Sequence, residues 1–246
     1  KTNEDFSINY DNIAQVLSPK TAAIIINSPN NPTGKIYSQE EIHKLAELLK
    51  QSETKINRLP YIICDEPYRA ITYNGKTVAS IFNEYNNSVI LTSFAKNLSI
   101  PGERLGYLCV NPSCSESKEL IASCILATRI LGYVNAPAFF QKVIAKSWQC
   151  KCDYSLYEKR CNEITEIMDY AGLKYIKPEG AFYLFVKVPE KWNNDDMAFT
   201  EHLKKFNILC APGTGFGCNG WFRISYCVAE QTILNSKEAF YKAVHE

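Results

Sequence analysis

The sequence predicts an α/β fold: a mostly parallel sheet with helices on both faces, followed by a smaller α+β region. Three observations carry that expectation. Apolar runs of about five residues alternate with amphipathic stretches of ten or more, the alternation that builds a buried sheet from strand and helix in turn. The runs end in polar clusters rich in Pro, Asn or Gly, and open α/β sheets bind their ligands at the carboxyl ends of strands. Beyond Asn111 the texture changes to helical stretches and then to a shorter mixture of strand and helix.

Taken in order, Ala22 to Ile26 reads as the first strand. NSPNNPTG (Asn27 to Gly34) must be loop, because its prolines lack an N–H and push the residues before them to extended backbone. Ser38 and Glu41 have the spacing of a capping box, and Ile42, Leu45, Ala46, Leu48 and Leu49 give the helix it starts an apolar face. A second strand, Tyr61 to Cys64, leaves the core at DEPY (Asp65 to Tyr68). A third, Val89 to Thr92, runs into SFAKNLSIPGERLGY (Ser93 to Tyr107), and a fourth spans Leu105 to Val110. Helical patterns cover Glu116 to Leu131 and Ala136 to Tyr170. Strands follow at Ala181 to Val188, Ile208 to Ala211 and Phe222 to Cys227, with helices near Asp195 to Phe206 and Glu230 to Val244. The expected division is a first domain over 1–150 and a small C-terminal domain over 151–246, linked by a long helix around 137–171.

Composition narrows the function. With 46% hydrophobic and 22% charged residues in 246, the chain collapses around a sizeable core. Its 27 Lys and Arg against 26 Asp and Glu form no basic stripe able to neutralise several phosphates, which argues against a nucleic-acid partner. Cys64, Cys109, Cys124, Cys210 and Cys227 lie in apolar runs, where a thiol acts as a small hydrophobe. Cys150 and Cys152 are the only close pair, and with three histidines and no CxxC spacing no metal site is expected. This usage fits the reducing cytoplasm. No apolar run reaches the ~18 residues of a membrane span, and the opening residues lack a signal-peptide layout.

Four motifs carry chemistry. NSPNNPTG, DEPY, SFAK with an arginine eight residues after its lysine, and WFRIS (Trp221 to Ser225) stand in the order and spacing of a known family. The chain resembles the class I aminotransferases, fold-type-I enzymes built on pyridoxal 5′-phosphate. The resemblance runs from about Asp11 to Val244 and implies that family members carry a further N-terminal portion absent here.

The resemblance assigns roles that each residue type can fill. Lys96 would be the Schiff-base lysine, since an amine both condenses with an aldehyde and, once displaced, moves a proton. Asp65 would face the pyridine nitrogen and keep it protonated; an Asp at a strand end also serves as turn former or helix cap. Tyr68 and Asn31 would donate to the phenolic oxygen of the ring, with Asn31 also near the substrate. Ser93 and Arg104 would hold the phosphate, one with a hydroxyl and one with a planar fork of donors. Arg223 would pair with the substrate α-carboxylate.

The pattern departs from the family in two places. Ala95 stands directly before the lysine where many members carry Ser. Arg129 precedes Tyr133-Val134-Asn135-Ala136-Pro137 by one residue more than in dicarboxylate-specific members, so aspartate or glutamate as donor stays open. Gly215 to Gly220 satisfies GxGxxG, but a strand pattern follows it, whereas the dinucleotide fingerprint opens a helix.

The activity implied is transfer of an amino group from an amino acid to a 2-oxo acid by a homodimeric enzyme. The alternatives are a carbon–sulfur lyase using the same cofactor and a non-catalytic or truncated aminotransferase-like protein.

Overall fold

Parallel strands set the frame of the first of two compact units in the computed structural model, which describes all 246 residues. This unit comprises Lys1–Pro29, Tyr37–Ala70 and Thr77–Cys152. It begins with helix α1 (Tyr10–Val16), then strand β1 (Ala23–Asn27), α2 (Gln39–Ile56), β2 (Tyr61–Asp65), β3 (Ser88–Ser93), the single turn α3 (Phe94–Asn97), β4 (Gly106–Val110), α4 (Ser117–Ile130) and α5 (Ala138–Ser147). The sheet order is β1-β2-β3-β4. The first three strands are parallel, so Asn27, Asp65 and Ser93 close their strands on the same edge of the sheet.

The fourth strand runs antiparallel to β3, pairing Ser93 with Gly106. The twelve residues between them are taken up by the single turn of α3 and the loop to Arg104, with no full helix to carry the chain back across the sheet for a parallel partner. Helix α2 starts as its capping box requires: Ser38 Oγ accepts from the Glu41 N–H at 3.1 Å and Glu41 Oε2 from the Ser38 N–H at 2.8 Å. Its buried residues, Ile42, Leu45, Ala46, Leu49 and Ile56, pack on Ile62, Cys64, Ile81 and Tyr85. Leu45 and Leu49 are fully buried, each stabilising the unit by about 1.5–3 kcal/mol.

The second unit comprises Asn30–Ile36, Ile71–Lys76 and Asp153–Glu246. Its elements are α6 (Ser155–Ala171), β5 (Tyr175–Ile176), β6 (Tyr183–Lys187), α7 (Asp196–Lys204), β7 (Ala211–Pro212), β8 (Trp221–Ser225), α8 (Glu230–Asn235) and α9 (Lys237–His245). The strands pair antiparallel in the order β5-β6-β8-β7. Helix α6 buries Cys161, Ile164, Thr165, Ile167, Met168 and Ala171, one face at helical spacing, and ends at Gly172 with φ 74°. Tyr73, from the 71–76 segment, is fully buried, donates to the Ala181 carbonyl and meets the Tyr226 hydroxyl at 3.0 Å.

Several boundaries differ from expectation. The long helix around 137–171 is two helices, α5 and α6, separated by residues 148–154. There Asp153 Oδ1 accepts from the Ser155 N–H at 3.0 Å and from its hydroxyl at 2.5 Å, an Asx turn that starts α6 afresh. The last helix is broken at Ser236, whose hydroxyl donates to the Ile233 carbonyl at 2.7 Å. The strand expected over Ile208 to Ala211 shortens to Ala211–Pro212, where the proline cannot continue a ladder as donor. Helices α1 and α3 and strand β5 were not expected from the sequence. All ten cysteines are free thiols, no group of side chains has the makings of a metal site, and no helix is long and apolar enough to cross a membrane.

Candidate functional site

In the first unit the site grows from the register of β1 on β2, which sets Asn27 opposite Asp65. Asn27 Nδ2 donates to the Asp65 backbone carbonyl at 2.8 Å and to its carboxylate Oδ2 at 3.1 Å, so one amide fixes both the strand end and the carboxylate. Asp65 is half-buried, and that burial pushes its carboxyl above the ordinary carboxylate value. No cation of the chain acts to pull it back down.

The next residue turns the other way. Glu66 is buried and pairs with Arg69 Nη1 at 2.5 Å. Burial raises the Glu66 carboxyl and Arg69 offsets part of the rise. Arg69 in turn donates to the carbonyls of Val78 at 3.1 Å and Ala79 at 3.3 Å, anchoring the far end of the loop that follows DEPY. Thr92 Oγ1 donates to the Glu66 carbonyl at 3.3 Å and ties β3 to the same place.

Tyr68 is buried, and Lys96 Nζ lies 5.9 Å from the centroid of its ring. Lys96 is half-buried on α3. Ser93 caps that turn: its hydroxyl accepts from the Ala95 N–H at 3.1 Å and donates to the Leu105 carbonyl at 3.2 Å. Arg104 has φ 54° and donates from Nη1 to the Pro101 carbonyl at 2.8 Å, with its side chain otherwise exposed. Arg129 is exposed in the last turn of α4.

The second unit holds the other two predicted residues together. Arg223, in the middle of β8, donates from Nη1 to Asn31 Oδ1 at 2.9 Å. Gly34 makes the Asn31 segment possible: its φ is 70°, and a Cβ there would lie 2.5 Å from the Pro178 Cβ. The Gly34 carbonyl accepts from the N–H groups of Glu179 at 2.9 Å and Gly180 at 3.1 Å, and Glu179 Oε2 accepts from the Ile36 N–H at 2.9 Å. The Arg223 guanidinium lies 4.6 Å from the Tyr183 ring centroid and 4.9 Å from that of Phe216. Its Nε is buried with no hydrogen-bond partner.

The GxGxxG segment is a turn leading into β8, not a helix start. Asp196, buried on α7, holds it: its carboxylate accepts from the Thr214 N–H at 2.7 Å, the Thr214 hydroxyl at 2.9 Å and the Gly220 N–H at 3.1 Å. Burial alone would raise the Asp196 carboxyl, but these bonds outweigh it and hold it below its ordinary value. Asn27, Tyr183, Asp196 and Phe216 escaped the sequence reading. Their roles depend on strand register and loop packing, although Asn27 stands first in the NSPNNPTG motif and Phe216 lies in the glycine-rich run before β8.

The set in the first unit fits pyridoxal 5′-phosphate. A half-buried carboxylate facing no cation of the chain suits a protonated ring nitrogen, Lys96 supplies an amine and Arg104 a guanidinium for phosphate. An α/β sheet bearing these residues at its strand ends, with an antiparallel second unit, defines the class of fold-type-I transferases. Comparison with known proteins narrows the class. The chain belongs to the aminotransferase class I and II family, whose family model matches residues 1–239. It is similar to the solved structure of an amino transferase from Eubacterium rectale, with 41% identity, TM-score 0.93, and 98% of this chain and 60% of that one covered. It is also similar to an aspartate aminotransferase from Thermotoga maritima, with 28% identity, TM-score 0.84, and 100% of this chain and 62% of that one covered. Among curated sequences it is 28% identical to a probable aspartate/prephenate aminotransferase of Aquifex aeolicus, covering 100% of this chain and 63% of that protein. The chain thus spans about three fifths of the length of the relatives it matches.

Proposed function

We propose that this chain carries the lysine, ring-facing and carboxylate-binding residues of a pyridoxal-phosphate-dependent aminotransferase, which moves an amino group from an amino acid to a 2-oxo acid. The observation that carries the reading is Asp65: a half-buried carboxylate, oriented by Asn27, with no cation of the chain to neutralise it. When bound, the cofactor supplies an aldehyde that condenses with amines and a ring that withdraws electrons from the substrate Cα.

The chain's own residues do the rest. Asp65 holds a proton on the ring nitrogen, and Asn27 keeps the carboxylate turned to do so. The Tyr68 hydroxyl donates to the phenolic oxygen. Arg104 would offer its guanidinium to the phosphate, and Ser93 would join it only by turning its hydroxyl away from the Leu105 carbonyl to which it now donates. Lys96 would hold the cofactor through its amine and, as a free base, would move the proton of the substrate Cα. Arg223, steadied by Asn31, receives the substrate carboxylate as a bidentate pair. Residues 1–150 act as the cofactor-binding domain, apart from Asn30–Ile36 and Ile71–Lys76, which pack with 151–246 as the small domain. The working enzyme is a cytoplasmic homodimer. Dimerisation is supported by exposed apolar residues on α4 and α5, among them Ile125, Leu126, Ile130 and Phe139.

Incubating the chain with pyridoxal 5′-phosphate and glutamate or aspartate tests the reading. The expected result is conversion of the cofactor to its amine form with one equivalent of the matching 2-oxo acid. Release of pyruvate and ammonia from a cysteine derivative, with no such conversion, overturns it in favour of a lyase.

A further inference from the structure

Arg223 lies against two aromatic rings. It lies opposite Phe185 in the pairing of β6 with β8, so Tyr183, two residues earlier, is its diagonal neighbour on the same face. Phe216 reaches it from the turn before β8. With ring centroids at 4.6 and 4.9 Å, both aromatic contacts lie within cation–π range, and Nη1 is tied to Asn31. Guanidinium donors lie in the guanidinium plane. Of these the Nε hydrogen is buried and unanswered within the chain. Tyr183 is buried in the sheet, whereas Phe216 is 37% exposed and hangs on the turn clamped by Asp196.

We propose that Tyr183 and Phe216 are positioning residues that hold the Arg223 guanidinium in one plane, so that its edge accepts a planar carboxylate in preference to a tetrahedral oxyanion. The inference rests on the reading of Arg223 as the substrate-carboxylate site and adds the residues that set its selectivity. A carboxylate lies in the guanidinium plane and meets two donors at once; a phosphonate projects oxygens out of that plane toward the rings. Phe216 is the adjustable member because its turn, unlike β6, is not part of the sheet.

The test follows the Arg223 Nε–H resonance by NMR in the full chain, without cofactor, during titration with pyruvate and with acetylphosphonate. In the native chain pyruvate shifts the resonance and binds more tightly than acetylphosphonate. Phe216→Leu weakens pyruvate binding about fivefold, narrows its advantage over acetylphosphonate and speeds Nε–H exchange in the ligand-free chain. Phe216→Trp, which keeps an aromatic face, restores all three. Unchanged exchange and unchanged preference in Phe216→Leu overturn the proposal while leaving the carboxylate role of Arg223 intact, as does a loss in Phe216→Trp as large as that in Phe216→Leu. A native Arg223 resonance that ignores pyruvate overturns the carboxylate role itself and the proposal with it.

Discussion

Asn27 and Asp65 face each other across two parallel strands, and the Asn27 amide donates to both the carbonyl and the carboxylate of Asp65, at 2.8 and 3.1 Å. A single side chain thereby sets the aim of the carboxylate proposed to meet the cofactor ring. Removing it in Asn27→Ala is expected to weaken pyridoxal 5′-phosphate binding about tenfold, the effect of losing one hydrogen bond to a charged acceptor. Fluorescence titration with the cofactor measures this. The Asp65 carboxyl, followed by NMR in the cofactor-free chain, should titrate higher than in the native protein, because a donor to its charged form is gone.

Asp65→Asn separates stability from chemistry. Burial raises the native carboxyl above its unfolded value, so its favourable contribution is full below the unfolded value and lost as pH rises through the folded one. At neutral pH the cofactor-free Asp65→Asn chain should therefore unfold at higher denaturant than the native chain, and the difference should close in acid below the ordinary carboxylate range. Amino transfer by the same variant should fall roughly a hundredfold or more, because the ring nitrogen loses its preorganised counter-charge.

Asp196→Ala should cost about 2–4 kcal/mol in chemical denaturation, since it strands the buried Gly220 N–H and removes both bonds to Thr214. Its carboxyl is held below the ordinary value, so here stability is present above the unfolded value and lost as pH falls through the folded one. The native chain and the variant should converge in stability at the acid end, as they do for Asp65→Asn, but here the native chain is the more stable one at neutral pH.

Gly34→Ala tests the packing beneath Asn31. A methyl group would meet the Pro178 Cβ at 2.5 Å at a position with φ 70°, so the segment must shift. A loss of roughly 2 kcal/mol or more is expected, with weakened carboxylate binding at Arg223, the residue that Asn31 holds.

The sequence announced the elements whose signals are local. The Ser38–Glu41 capping box and the apolar face of α2 were both readable, and so were Asp65 at the end of β2 and Lys96 just past β3, because each lies within a few residues of a distinctive turn. What escaped depends on distance along the chain. Whether β4 runs parallel or antiparallel is decided by loop length and pairing. The break between α5 and α6 depends on whether Asp153 forms an Asx turn with Ser155 or sits within a continuing helix, and periodicity alone does not distinguish the two. Tyr183 reads as an ordinary core aromatic and Phe216 as part of the glycine-rich loop before Arg223, until the pairing of β6 with β8 and the packing of that turn set both rings against the guanidinium. Asn27 looked like one more loop polar residue until the strand register set it opposite Asp65.

The most direct measurement is chemical trapping at the lysine. The purified chain is mixed with pyridoxal 5′-phosphate, reduced with borohydride, digested and mapped by mass spectrometry. A pyridoxyl group on Lys96, with the accompanying absorbance lost in Lys96→Ala, is the predicted result. Label spread over surface lysines, equal in the native chain and in Lys96→Ala, would contradict the account.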